Sequence, residues 1–281
     1  MRWTKRREHL RELLSGDRCF HPASVFDPMS ARIAEDLGFE MAMFAGSVAS
    51  LTVLGAPDHI VLTLSEFADQ GLRICRSSEI PLVVDADHGY GNALNVMRTV
   101  EELEVAGISA LTIEDTALPM THGASQSAQL LSLEEGVGKM RAALEARVDP
   151  NLIIIGRTSA FGISNADDAL QRAKAYEAAG VDALFMLGLK THAQIELLNS
   201  EINIPIMLAG FSDLDFLASQ GVRICLQGHH PIKASVQAVY DTLKSLRSGT
   251  SPAEVENLAS SDLMKKVTRD EDYQRWIEEF L

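Results

Sequence analysis

Eight short runs, most of them almost continuously apolar, recur along the chain, separated by longer segments of helical pattern. This alternation constrains the fold more than any other feature. The runs fall near 19–26, 41–45, 81–87, 110–115, 152–158, 183–188, 205–210 and 223–228. A half-buried strand alternates apolar and polar residues. Unbroken runs such as Leu152-Ile153-Ile154-Ile155 instead suit strands covered on both faces of a parallel sheet. Helical patterns lie between them, for example at 92–106, 133–147, 166–179 and 214–220. Three of these lead into a Gly and then a β-branched residue: Gly107-Ile108, Gly180-Val181 and Gly221-Val222. Gly just past a helix takes the left-handed conformation that ends it, and the next strand then starts. Eight βα units over about 230 residues predict an α/β fold of the (β/α)8 TIM-barrel type. A doubly wound sheet is the alternative if two of the strands are misread.

The 281 residues allow one large domain or two small ones, and a 46% hydrophobic content can build a full core. No Pro/Gly/Ser-rich linker divides the barrel; the weak break is Ser-Gly-Thr-Ser-Pro at 248–252. The expected organisation is a barrel with an N-terminal helix over 1–247 and a helical tail over 248–281. The tail is too small for its own core, so Tyr273, Trp276, Ile277 and Phe280 need the barrel or a neighbouring subunit to cover them. A formal net charge of −14 argues against nucleic-acid binding, which draws its affinity largely from neutralising phosphates. Cys19, Cys75 and Cys225 are odd in number and lack metal-type spacing, which fits reduced thiols. No apolar run approaches the roughly 18 residues of a membrane span. The N-terminus is basic without a signal peptide's apolar core, and Trp3, Leu10, Leu13 and Leu14 give it the pattern of an amphipathic helix. The expected location is the cytoplasm.

In such barrels the chemistry sits at the C-terminal strand ends. The third run ends Asp85-Ala86-Asp87, and residues two apart on a strand share a face. The fourth ends Glu114-Asp115. Carboxylates from adjacent strand ends repel unless a cation lies between them, and oxygen-only ligation suits Mg²⁺ or Mn²⁺ better than Zn²⁺. The bland reading is that these acids cap the following helices. Arg157 follows directly on an apolar run and needs an anion, either a substrate carboxylate or Glu114. The small residues Gly46-Ser47-Val48-Ala49-Ser50 would let backbone N–H groups approach an oxyanion. His229 and His230 end the eighth run, and one or both should face the mouth. Gly89-Tyr90-Gly91 lacks the third Gly of a dinucleotide fingerprint, and Lys190 reads as a solvated loop residue.

GSVAS at 46–50, VDADHGYGN at 84–92, TIED at 112–115 and GRTSA at 156–160 resemble the isocitrate lyase/phosphoenolpyruvate mutase superfamily. The strings at 24–40, 91–104 and 134–150 are most similar to its oxaloacetate decarboxylase branch. The resemblance implies a barrel whose last helix is swapped between subunits, giving a homotetramer built as a dimer of dimers. It implies Mg²⁺ bound directly by Asp85, with Asp87 and Glu114 acting through waters. It further implies substrate contacts from Ser47 with its neighbours Gly46 and Val48, a carboxylate-binding Arg157, and Asp58 near the reacting groups. His229 matches the His associated with the decarboxylase branch, and Tyr90 is a candidate to return a proton if it reaches inward. The superfamily's carbon–carbon lyases carry a catalytic Cys in the loop after the fourth strand. Here residues 118–127 contain none, although His122-Gly123 is a partial echo. The mutase-type Asn-containing loop is absent too.

The function expected is Mg²⁺-dependent decarboxylation of oxaloacetate, or a close 2-oxo acid, to pyruvate and CO₂ through an enolate that the cation stabilises. The alternatives are a 2-methylisocitrate lyase-like or phosphonopyruvate-type activity on the same site, and a non-catalytic barrel that binds 2-oxo acids.

Overall fold

All eight apolar runs become strands of one parallel sheet in the computed structural model, which describes residues 3–120, 122 and 128–281. In chain order the first half comprises α1 (Thr4–Ser15), β1 (Ala23–Ser24), α2 (Pro28–Asp36), β2 (Ala42–Ala45), α3 (Gly46–Ala49), α4 (Leu64–Ser77), β3 (Leu82–Asp85), α5 (Ala93–Ala106) and β4 (Ala110–Glu114). A π-helical turn, Ser50–Leu54, prolongs α3. The second half comprises α6 (Leu133–Ala146), β5 (Ile153–Thr158), α7 (Ala160–Ile163), α8 (Ala166–Ala179), β6 (Ala183–Met186), α9 (His192–Glu201), β7 (Ile206–Ala209), α10 (Leu214–Ser219) and β8 (Val222–Leu226). Then come α11 (His230–Arg247), α12 (Ser261–Thr268) and α13 (Asp270–Phe280).

The strands run in the order β1 to β8, and the seam is joined where Phe20 bridges Ile224 in parallel. This is the TIM-type architecture that the alternation predicts. Its core is continuous: Val83, Val84, Leu111, Ile113, Ile153, Ile154 and Ile155 are fully buried. The helix stops are as expected, with Gly107 at φ 96° and Gly180 at φ 100°. Asp27, Thr63, Asn92 and Thr191 each close a capping box. The Asn92 box gives the glycine-rich segment before α5 a role: it starts a helix.

The amphipathic α1 buries Leu10 and Leu14, as its spacing predicts, but it also buries Arg6 and Arg7. Arg7 donates to the carbonyls of Glu104 and Ile108 and to Asp149, so part of the basic N-terminus is internal. The tail divides. α12 lies on α2 through the buried Val267, and Arg269 forks onto Asp36 at 2.8 Å from each of two nitrogens. α13 keeps Tyr273, Trp276, Ile277 and Phe280 exposed. So does α11, the last barrel helix, which buries Ile232 yet exposes Val236, Val239, Tyr240 and Leu243. No helix among the described residues is long and apolar enough to cross a membrane.

Candidate active site

Strand register builds the site. Asp85 pairs with Thr112, Glu114 with Arg157, and Arg157 with Phe185, so these side chains stand beside one another across three neighbouring strand pairs. The contacts follow. Thr112 Oγ1 donates to Asp85 at 2.6 Å, and Arg157 Nη1 meets Asp85 at 2.5 Å. Arg157 Nη2 reaches Glu114 at 3.3 Å, and its guanidinium lies 5.5 Å from the centre of the Phe185 ring. Thr116 Oγ1 donates to Glu114 at 2.7 Å.

Asp87 reaches the same place by a different route from the one the sequence suggests. β3 ends at Asp85, and Asp87 lies beyond it at φ 48°, so the two do not share a strand face. A left-handed turn through Asp87, Gly89 (φ 73°) and Tyr90 (φ 59°) brings its carboxylate round. Gly46 makes room, because a Cβ at that position would overlap the Asp87 carboxylate.

A cavity of about 270 Å³ opens at these strand ends, lined by Ser47, Asp58, Asp85, Asp87, Arg157 and His229 among the expected residues. Glu114 sits behind it, almost wholly buried against Arg157. Gly46 and Val48, the neighbours of Ser47 in α3, are buried and do not line the cavity. Tyr90 is not part of the lining: its ring lies near Phe67 and His88, and its hydroxyl is buried with no partner among the described residues. His230 belongs to a separate hollow beside α2. Lys190 is exposed, as expected. Asp115 is held away by Arg172 at 2.9 Å and Tyr176 at 2.6 Å, a structural role. The loop expectation falls mostly on residues 121 and 123–127, which lie outside the described residues.

Several lining residues carry no motif and are found only in three dimensions. Ser24, Gln227, Met43, Phe185 and Leu187 are of this kind. Their one signal in the sequence is position at or near a strand's C-terminal end, which does not separate them from ordinary core residues.

The electrostatics are unbalanced. Burial and then the neighbouring Asp85 charge push the Asp87 carboxyl up to about 8. Burial also raises Glu114, partly opposed by Arg157. Burial works against the Arg157 charge, yet Asp85 and Glu114 outweigh it and hold the guanidinium protonated. One guanidinium thus faces three carboxylates, and no donor among the described residues meets that of Asp87. A divalent cation fits this deficit. Among the described residues no three His, Cys, Asp or Glu side chains form a ready cage.

The phosphoenolpyruvate phosphomutase family model matches residues 10–247, so the chain belongs to that family. A protein of Rhodopseudomonas palustris (strain BisB18) named oxaloacetate decarboxylase is 58% identical over 96% of this chain and 94% of its own length. One of the same name from Bradyrhizobium sp. (strain ORS 278) is 53% identical over 100% and 99%. Among solved structures, phosphonopyruvate hydrolase in complex with oxalate and Mg²⁺ superposes with a TM-score of 0.86 at 28% identity, covering 98% of this chain and 99% of that one. The phosphoenolpyruvate phosphomutase of Streptomyces platensis subsp. rosaceus has the same score, identity and coverage.

Proposed function

We propose that the chain is a carboxy-lyase that decarboxylates oxaloacetate, or a close 2-oxo acid, to pyruvate and CO₂ with Mg²⁺ (or Mn²⁺) as cofactor. The observation that carries this reading is the convergence of Asp85, Asp87 and Arg157 on one cavity, in a chain more than half identical over nearly its whole length to proteins named for that activity. Asp85 would hold the cation directly, with Asp87 and Glu114 acting through its waters. When bound, Mg²⁺ supplies a Lewis acid that draws electron density from the carbonyl of the 2-oxo acid.

The chain's own residues do the rest. Arg157 offers a planar fork that fits a carboxylate and fixes the substrate's orientation. Ser47, at the start of α3, adds its hydroxyl and nearby backbone N–H groups to the same end. His229, on the opposite wall, donates toward the oxygen on which charge develops as CO₂ leaves. Met43, Phe185 and Leu187 make an apolar wall. A carboxylate held against it loses solvation that CO₂ does not need, which favours departure of the neutral gas. Asp58 lies at the mouth, placed to order the water that returns a proton to the enolate carbon.

The same reading gives the organisation. The barrel with its N-terminal helix spans 1–247, and the tail spans 248–281. The assembly is a homotetramer in which α11 is exchanged between subunits. The exposed apolar face of α11 supports this, as does an apolar hollow beside α2, lined by Phe26, Ile33, Leu37 and Phe39, where a partner's helix would sit.

A panel of oxaloacetate, 2-methylisocitrate and phosphonopyruvate tests the reaction, because the co-products differ: CO₂, succinate and phosphate. Release of CO₂ from oxaloacetate with little succinate or phosphate is expected. Turnover of another substrate alone overturns the assignment, and binding without turnover would make the barrel a 2-oxo acid receptor.

A further inference from the structure

Ser24 has no role in the reaction as described above, yet it touches a residue that does. It ends β1, where the register with Met43 of β2 fixes its position. Its Oγ lies 2.9 Å from Nδ1 of His229, and both side chains line the same cavity. The two come from opposite ends of the chain and meet across the seam that closes the barrel. His229 is held from its own side by Gly228, at φ 89°, and by the start of α11. Among the described residues the Ser24 hydroxyl makes this side-chain bond alone, and Nε2 of His229 has no partner.

An imidazole that uses Nδ1 in one bond leaves Nε2 for the ligand, and the first bond decides which nitrogen carries the hydrogen. A hydroxyl can donate or accept, so Ser24 is compatible with either tautomer in isolation. The surroundings decide. The substrate class proposed for this cavity offers carboxylate and carbonyl oxygens, all acceptors. The cavity wall adds the carboxylates of Asp58 and Asp85, also acceptors, beside Ser47, Gln227 and Arg157, which can donate. The cation of the wall, Arg157, is already engaged by Asp85 and Glu114, so a lone pair on Nε2 would gain little from it, whereas a hydrogen there would have a partner as soon as substrate arrives. Burial, outweighing Asp85, holds the His229 pKa below its ordinary value.

We infer that Ser24 is a positioning residue whose hydroxyl donates to Nδ1 of His229, fixing the Nε2–H tautomer that presents an N–H donor to the substrate oxygen. The catalytic consequence rests on the decarboxylase reading; the tautomer does not. Loss of this bond lets the ring rotate and take the other tautomer without removing it from the cavity. The expected cost therefore falls on turnover more than on substrate binding.

The test uses the full-length protein with Mg²⁺ and oxaloacetate, and Ser24→Ala, Ser24→Thr, His229→Gln and the double variant Ser24→Ala/His229→Gln. Ser24→Ala should lower kcat about tenfold with KM changed less than about threefold, and Ser24→Thr, which keeps the hydroxyl, should recover most of that loss. In the His229→Gln background Ser24→Ala should have little further effect, because the two residues act as one unit. Nitrogen-15 NMR of labelled histidine, with His229→Gln to assign the signal, should find Nε2 protonated in the wild type and a mixture in Ser24→Ala. An equal loss from Ser24→Ala in both backgrounds, or an Nδ1–H ring in the wild type, overturns the inference. The NMR arm needs no turnover, so failure of the decarboxylase reading would appear as an inactive wild type with the tautomer still fixed by Ser24.

Discussion

Arg157 Nη1 lies 2.5 Å from Oδ2 of Asp85, while its Nη2 reaches Glu114 at 3.3 Å, so one guanidinium ties together the ends of β3, β4 and β5. Removing it leaves buried carboxylates without their counter-charge, which costs about 3 kcal/mol or more. Arg157→Ala should therefore lower both stability and turnover, and added Mg²⁺ should restore part of the stability but not the turnover. Arg157→Lys keeps the charge and loses the fork, so it should stay folded with kcat/KM down at least about tenfold. Thermal unfolding with and without Mg²⁺, beside steady-state kinetics, checks both.

Gly46→Ala tests the approach of Asp87. A methyl group there meets the Asp87 carboxylate, and either α3 or the turn at 87–91 must shift. Overpacking of this kind costs about 1–3 kcal/mol, so the fold should survive. Turnover should fall at least about tenfold, and the Mg²⁺ concentration for half-maximal activity should rise. A metal titration of activity, with circular dichroism as the folding control, reads both effects.

The clamp of α1 predicts a pH dependence of stability. Burial pushes the Asp149 carboxyl up, but bonds from Arg7 (2.9 Å), the Asn151 N–H (3.0 Å) and Thr4 (3.0 Å) outweigh it and hold it below the ordinary value of 3.8. A depressed folded pKa means the unfolded chain takes up the proton first. The contribution is therefore present above pH 3.8 and is lost as pH falls through the lower folded value. Asp149→Asn should cost about 3 kcal/mol near pH 7, with the gap from wild type narrowing below pH 4. Urea unfolding at pH 7, 5 and 3.5 measures it.

The exposed faces of α11 and α13 predict assembly. Val239→Glu places a charge in the apolar face of α11 and, if the proposed tetramer forms, should give smaller species than the wild type in light scattering. Asp262→Lys, on the exposed side of α12, should not.

The barrel was legible because its signal is repeated. Eight apolar runs and three helix-ending glycines all point to one architecture, and an error of two residues at a strand end does not change it. The site was legible where acids or Arg interrupt apolar runs, as at Asp85, Glu114 and Arg157, because a charge in such a run needs a partner. Asp87 was found for the wrong geometric reason: a strand was assumed to continue where the backbone turns left-handed. Tyr90 lies on the same turn, its ring near Phe67 and outside the cavity's lining residues. Arg7 shows the opposite limit. Its burial depends on carbonyls of Glu104 and Ile108, about a hundred residues away, and no local pattern signals them.

The most direct test is the rate of pyruvate formation from oxaloacetate with Mg²⁺, compared between wild type, Asp85→Ala and Mg²⁺ alone. Mg²⁺ by itself decarboxylates oxaloacetate slowly, so that background is the reference. The wild type should exceed it by several orders of magnitude, and Asp85→Ala should return close to it while remaining folded. A wild-type rate indistinguishable from Mg²⁺ alone, or an Asp85→Ala rate equal to wild type, would contradict the assignment of these strand ends as the catalytic centre.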